Sequence, residues 1–351
     1  MGKKLGYHVE CRAAEGRSGN AAGSGKRQTG WLHRNRGTAT GGYVKGERGF
    51  ALVITLIITA LLVAVTTEFI HDVFVETSLR HGYEDAQQAS LLAESGVQGG
   101  IKVLKLALAS QGYTSLLDGW AAPQVFQDER GSLQISISEE SAKLDFNSIV
   151  FPNGTLNEDY YGIAERLLAR LKLPVDLGDA VADWIDSDDS TRAGGAESPF
   201  YQALTPSYAA KGAPLETYEE LRMVSGFNEA ILRKLHPYVT VYSESRGAPY
   251  SKVNINTAPE ELLATLDEQM TDDLAGRIIA YRTQTPIKTP SELTQIAGME
   301  SVGIAVQGKI SVKGTVFRIQ SRAQVKDTVR FIEAVVRVAG SNSTVLYWRE
   351  L

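Results

Sequence analysis

A polar stretch rich in Gly, Ser and Arg opens the chain, and the first run of apolar side chains begins abruptly at Phe50. From there to Thr67 the sequence FALVITLIITALLVAVTT carries eighteen residues without a charge, close to the roughly 20 that span the hydrocarbon of a bilayer as a helix. Residues 68–110 contain no proline. Leu91, Leu92, Val97, Ile101, Val103, Leu104 and Leu106 recur there among Ala and Gln, so the pattern predicts one helix from Phe50 to about Ala109. At 1.5 Å per residue such a helix is roughly 90 Å long. Gly96, Gly99 and Gly100 mark either a bend in it or a close approach of the domain that packs on it.

Gly112, Gly119 and Pro123 punctuate the exit, after which the period changes: GSLQISISEE (131–140) alternates apolar and polar residues as a half-buried strand does. Three further strands are predicted at 315–325, 328–340 and 343–351, an antiparallel meander with turns at Lys326-Asp327 and Gly340-Ser341. Between the strand groups lie helical patterns at 157–172, 176–186, 216–224, 228–236, 258–266, 271–283 and 290–297. The expected fold class is therefore α+β, a long N-terminal helix plus an antiparallel sheet, interrupted by a large all-α insert. The expected boundaries are 50–70 for the membrane part of the helix, 71–155 with 311–351 for the sheet domain, and 156–310 for the insert.

Charge sharpens this division. Residues 1–49 hold ten Lys/Arg against three acids, a net of +7, which leaves −12 for residues 50–351. A surface of that sign repels a phosphate backbone, which excludes a general nucleic-acid binder. Lys45 and Arg48 precede the apolar run while Glu68, Asp72 and Glu76 follow it, so the N-terminal flank is expected in the cytoplasm and the remainder across the membrane. The single cysteine, Cys11, lies in the basic segment, so no disulfide framework holds the folded part.

The apolar segment can be a cleaved secretory signal, a plain anchor, or a leader cut before the apolar stretch. Small residues after a short apolar core would mark the first, but this core is long and is followed by Thr-Glu-Phe-Ile-His. A basic stretch ending in Gly49, then Phe50, then the apolar helix resembles the site cut by prepilin peptidase, which implies cleavage after Gly49 and an N-methylated Phe50. Most pilins and pseudopilins carry Glu at the fifth mature position, where this chain has Ile54. With the large insert and the modest match of AKLDFNSI (142–149), this resembles the type II secretion system protein K family, whose members lack that glutamate. The leader, residues 1–49, is long for such a family. Translation is therefore expected to begin at Val44, from a GTG codon, with 1–43 upstream of the start.

Residues 183–201 hold the densest acidic cluster, Asp-Trp-Ile-Asp-Ser-Asp-Asp-Ser-Thr-Arg-Ala-Gly-Gly-Ala-Glu-Ser-Pro-Phe-Tyr. A hard cation such as Ca²⁺ takes about six to eight oxygens. Asp186, Asp188 and Glu197 are the obvious donors, with Asp183 one turn earlier and Asp189 in reserve, while Gly194-Gly195 lets the backbone turn back. The offsets are not those of an EF-hand, and on the residues alone a solvated, capped loop competes with a metal site. The resemblance adds weight to the metal: the family has an Asp-Trp-Ile/Leu-Asp-x-Asp run followed by Gly-Ala-Glu and an aromatic pair, and its α-domain binds calcium. Where the family commonly has an acid after the glutamate, this chain has Ser198.

Two other functional classes compete with this one. KVNINTAPEELLATL (252–266), LAGRIIAYRT (274–283) and PSELTQIAGM (290–299) resemble a helix-hairpin-helix DNA-binding module, which would make the chain a membrane-anchored DNA-uptake protein. Its first hairpin, Asp267–Asp273, has no glycine and four acids, and residues 252–300 carry four basic against eight acidic side chains, so a helical scaffold is expected, with Thr257 capping a helix that starts near Pro259. A periplasmic metal-dependent hydrolase could use the same carboxylates. Against it, His8, His33, His71, His81 and His236 are scattered and no G-x-S-x-G elbow occurs. The protein K resemblance instead implies a non-enzymatic minor pseudopilin. Such a subunit sits at or near the pseudopilus tip, anchored in inner-membrane lipid with its C-terminal domain in the periplasm. It is matured by prepilin peptidase, assembles with minor pseudopilins of the I and J type, and supports secretion across the outer membrane without touching nucleic acid.

Overall fold

The computed structural model describes residues 47–129, 131–244 and 248–351; Cys11, Val44 and the rest of 1–46 lie outside the described residues. The chain forms helix α1 (Glu47–Ser110), then strands β1 (Gln124–Asp128) and β2 (Gly131–Glu139). The insert follows, with β3 (Leu144–Asp145), α2 (Glu158–Arg170), α3 (Leu177–Ile185), α4 (Ser198–Gln202), α5 (Glu229–Leu235), β4 (Val239–Thr240), β5 (Val253–Asn254), α6 (Glu260–Leu263), α7 (Asp272–Arg282), α8 (Val302–Ala305) and β6 (Ile310–Ser311). The path ends with β7 (Val316–Val325), β8 (Thr328–Ala339) and β9 (Asn342–Glu350).

Two compact units divide the chain, up to Phe69 and from Ile70 onward. In the first, every described side chain of α1 is exposed, and its most apolar 18-residue window has a mean hydropathy of 2.6. Its polar groups are satisfied internally: the hydroxyls of Thr59, Thr66 and Thr67 donate to carbonyls four residues back at 2.7–2.9 Å, as a lipid environment requires.

In the second unit, Ala93, Val97, Ile101, Leu104 and Leu108 recur at spacings of three and four and form the buried stripe of α1. They pack on a five-stranded antiparallel sheet of order β1-β2-β7-β8-β9, against Ile135, Ile137, Phe317, Ile319, Ile332, Ala334 and Val336. The insert covers the opposite face, where Val316, Val335, Leu346 and Tyr347 meet its core. With both faces covered, β8 reads FIEAVVRVA rather than a clean alternation. The two predicted turns are present, with Lys326 at φ 50° and Gly340 at φ 60°, the left-handed conformation that matches a tight hairpin to strand twist.

Several expectations are corrected. The sheet gains β1, immediately after Pro123, whose exposed QVFQD has no burial pattern to betray it. The insert's core starts before residue 156, because Leu144, Phe146, Ile149 and Val150 are buried within it. Two patterns expected as α-helices, 216–224 and 290–297, close as 3-10 turns at Tyr218–Met223 and Pro290–Gln295. Thr257 does not cap α6, whose N-cap position is Pro259, without a side-chain cap bond.

The helix glycines mark close approach. A Cβ on Gly96 would collide with Ser321 Oγ and come within 2.8 Å of Leu133 Cδ1, and one on Gly100 would lie 3.1 Å from Ile319 Cγ2. At Gly99 it would meet only Ile135 Cδ1, at 3.8 Å. Gly96→Val is accordingly expected to destabilise the domain by about 1–3 kcal/mol. Gly99→Ala is expected to stabilise it by roughly 0.5–1 kcal/mol through helix propensity. Denaturant titration of the two variants checks the order, and equal effects would contradict the packing described.

Candidate metal centre

Helix α3 is buried at every position but Asp179 and ends with Asp183, Trp184 and Ile185, after which the chain enters a loop. Asp183 sits on its last turn, Asp186 is the C-cap in extended conformation, and Glu197 is the N-cap residue of α4, where the loop returns. Asp183, Asp186 and Glu197 are all buried, at 0, 2 and 3 % exposure, and one carboxylate oxygen from each lies within 4.8 Å of the others. The loop returns so tightly because of its paired glycines: a Cβ on Gly195 would collide with the Asp183 carboxylate, and one on Gly194 would lie 2.5 Å from Asp176 Cβ. Their role is close approach, and Gly194 N–H donates to Asp179 Oδ2 at 2.9 Å.

Asp188 does not join this cluster. Its Oδ1 accepts from Ser190 N–H at 2.8 Å in a local turn on the exposed side of the loop, and that bond holds its carboxyl below the usual range. Arg192 takes a place the sequence reading left unassigned. Its Nη1 lies 2.6 Å from both Asp183 Oδ1 and Asp186 Oδ2, and its backbone N–H donates to Asp183 Oδ2 at 3.0 Å. The signal was available, a lone cation within a run of acids, but spacing alone does not say that it folds inward.

One guanidinium faces three carboxylates, which leaves negative charge in excess. Burial, then the nearness of Asp183, Asp186 and Asp189, pushes Glu197 up to about 7, and burial raises Asp186 despite Arg192. Asp186 Oδ1 and Glu197 Oε1 are buried without a hydrogen-bond partner, although buried carboxylate oxygens are ordinarily satisfied. Hard oxygen donors, two of them orphaned and close enough to share one ion at bonds of roughly 2.3–2.6 Å, are the donor chemistry of a Ca²⁺ site. The residues therefore fit the cation that the resemblance implies, with backbone carbonyls or water needed to complete the shell.

Gly49 and Phe50 lie in the first turns of α1, both exposed, with Phe50 at 70 %. The hairpin-like segment is built as scaffold: Leu262, Leu263, Leu266, Ala275, Ile278, Leu293 and Met299 are buried in the insert core. Two of its acids pair within the domain, Asp272 with Arg170 and Asp273 with Arg277. His236 caps α5 and stands edge-on to Tyr218 at 5.1 Å, a packing role.

Comparison with known proteins places this arrangement. Family models described as type II secretion system (T2SS), protein K, match residues 142–244, which contain the acidic cluster, and residues 253–313, which contain the hairpin-like segment. Over these two segments the chain is similar to the type II secretion system protein K family. It is 27% identical over 333 residues to the type II secretion system protein K of Aeromonas hydrophila, covering 87% of this chain and 97% of that protein. The Pectobacterium carotovorum subsp. carotovorum protein of the same name is 27% identical over 318 residues, covering 86% and 95%. In fold it resembles a chain in the crystal structure of the GspK-GspI-GspJ complex from the enterotoxigenic Escherichia coli type 2 secretion system. The TM-score is 0.66 at 19% identity, covering 78% of this chain and 99% of that one. These likenesses support a minor pseudopilin role, a structural part of the secretion system, and among the described residues one N-terminal helix is apolar enough for a single-pass anchor.

Removal of Arg192 exposes the electrostatics of the cluster. In metal-free protein, Arg192→Gln is expected to lower stability by about 1–3 kcal/mol, the range for charged hydrogen bonds lost from a buried carboxylate. Asp188→Asn is expected to stay within about 0.5 kcal/mol. Thermal unfolding in chelator checks both, and a large effect at Asp188 would place that residue in the cluster after all.

Proposed function

We propose that this protein is a member of the protein K family, a subunit at or near the tip of the pseudopilus, without enzymatic activity, that assembles with I- and J-type minor pseudopilins and supports secretion across the outer membrane. The observation that carries this reading is the combination of an unbroken α1, apolar and exposed at its start, with a head whose sheet is interrupted by a large insert. A neighbour stacked above such an insert meets bulk where a smaller pseudopilin leaves room. The likeness to a chain from a GspK-GspI-GspJ complex supports the choice of partners. The basic flank before Phe50 and the acids after Thr67 support a periplasmic head domain.

Maturation on this reading is cleavage by prepilin peptidase between Gly49 and Phe50. Mass spectrometry of the N-terminal peptide from membrane-extracted protein tests it: N-methylated Phe50 is expected only when active peptidase is present, and Gly49→Leu is expected to abolish the product. A terminus beyond Thr67 would overturn both the cleavage site and the anchor. Pull-down of I- and J-type subunits by the mature protein then tests the assembly.

Calcium is the cation proposed for Asp183, Asp186 and Glu197, with Asp188 outside the ligand set. Bound there, the ion supplies counter-charge that ties the end of α3 to the start of α4; no reaction is proposed for it. At a hundredfold excess over Kd, calcium is expected to stabilise the protein by about 2.7 kcal/mol. Asp186→Asn and Glu197→Gln are expected to remove most of that gain, and an equal gain from magnesium would argue against a Ca²⁺-sized site.

A further inference from the structure

The chain leaves the sheet for the insert at Glu139-Glu140 and returns to it at Gly314-Thr315, and these two neighbouring glutamates are both buried. They face opposite surroundings. Glu140 accepts from Arg318 Nε at 2.7 Å and lies 2.9 Å from Lys143 Nζ; these cations hold its carboxyl at about 2 against the cost of burial. Arg318 continues to Glu333 on β8, so the Glu140 side of the joint is ionic and compensated.

Glu139 has no such compensation. Its Oε1 accepts from Asn254 Nδ2 of β5 at 2.7 Å, and its Oε2 accepts from Thr114 Oγ1, just past α1, at 3.2 Å. Asn254 Nδ2 also donates to Thr114 Oγ1 at 2.6 Å, as does Gly314 N–H of the return segment at 2.8 Å. A Cβ on Gly314 would collide with the Glu139 carboxylate, so the return segment is shaped to this side chain. One carboxyl group thus gathers four segments: the exit of α1, the end of β2, the insert and the way back to β7.

We propose that Glu139 is a proton-operated clasp at the joint on which the insert hangs from the sheet, closed more firmly when its carboxyl is neutral and released more often when it is ionised. The groups around it carry the argument. From the exit of α1 comes Thr114, uncharged, and from the insert Asn254 and Thr257, uncharged, with the acid Glu244 also acting on it. Lys252 acts on Glu244. Lys313 of the return segment is spent on the carbonyls of Leu108 and Gln111, both at 2.8 Å. Glu140 is matched by its own cations. Among the described residues an ionised Glu139 therefore keeps hydrogen bonds but meets no counter-charge, and burial, partly offset by Asn254, Thr114 and Thr257, pushes it up to about 7.

The sign follows from linkage. An opened joint hydrates the carboxyl and returns it to its ordinary value of 4.5, so the closed form binds the proton more tightly, and opening becomes easier as pH rises through 7. Between pH 6 and pH 8 the opening equilibrium is expected to rise about tenfold on this difference.

Hydrogen exchange by mass spectrometry on the full chain in detergent, at pH 6 and pH 8 and corrected for intrinsic exchange, tests the clasp. Peptides spanning 112–116, 252–257 and 311–316 are expected to lose about tenfold in protection at pH 8, while those within 331–338 hold theirs. Glu139→Gln, neutral and of the same shape, is expected to erase that difference. Equal protection at both pH values in the wild-type chain overturns the proposal whether or not the variant folds, and so does an undiminished pH response in Glu139→Gln.

Discussion

The contact between α1 and the sheet is the constraint on which the rest depends. One helix serves an anchor at its start and a domain at its end, so the same backbone must be apolar all round in one part and striped in the other. The stripe is made of Ala93, Val97, Ile101 and Leu104, and the absence of side chains at Gly96 and Gly100 lets the helix sink onto Leu133, Ile319 and Ser321. Two further bonds fix its position along the sheet: Lys326 Nζ reaches Asp85 Oδ1 at 2.7 Å, and Lys313 holds the last carbonyls of the helix, where a cation also suits the helix dipole. With one face of the sheet closed by α1, the other is free to carry the insert.

That second face is held by chemistry different from the first. Around α1 the packing is almost wholly apolar, whereas the insert meets the sheet through Val316 and Val335 and also through ion pairs, Glu140 with Arg318 and Glu219 with Arg349, with Arg318 also lying 5.8 Å over the ring of Tyr242. Buried ion pairs add little net stability beyond what apolar residues of the same volume supply, but they tolerate only one geometry. Such an interface sets the orientation of the insert more than its attachment.

Much of this was legible in the chain. The helix, the meander and its two turns follow from strong periods and from Gly340, and the acidic cluster was visible in composition. What escaped detection depends on contacts between residues distant in sequence. β1 is exposed on both faces and so has no period. The membership of Leu144 and Phe146 in the insert core is decided by partners many residues away. Within the cluster, Asp183 and Asp188 are both acids near the end of one helix, and only the direction of the chain after Asp186 turns the first inward and leaves the second in water. The inward turn of Arg192 is likewise a property of the closed loop. The same limit applies to Glu139 and Glu140, adjacent and identical in type: the first ends β2 and the second opens the 3-10 turn after it, and they meet different partners.

The register of the sheet has a topological meaning. β2 and β7 are direct antiparallel neighbours, with Glu139 opposite Phe317, so the whole insert begins and ends within one strand spacing. A loop whose ends are already adjacent adds no strand crossing and leaves the order of the sheet untouched. In that sense the helical part is a graft on a hairpin: a two-residue turn from the end of β2 to the start of β7 is geometrically sufficient to restore a plain meander. The sheet domain can thus host cargo of any size at this point while α1, the anchor and the remaining strands keep their places.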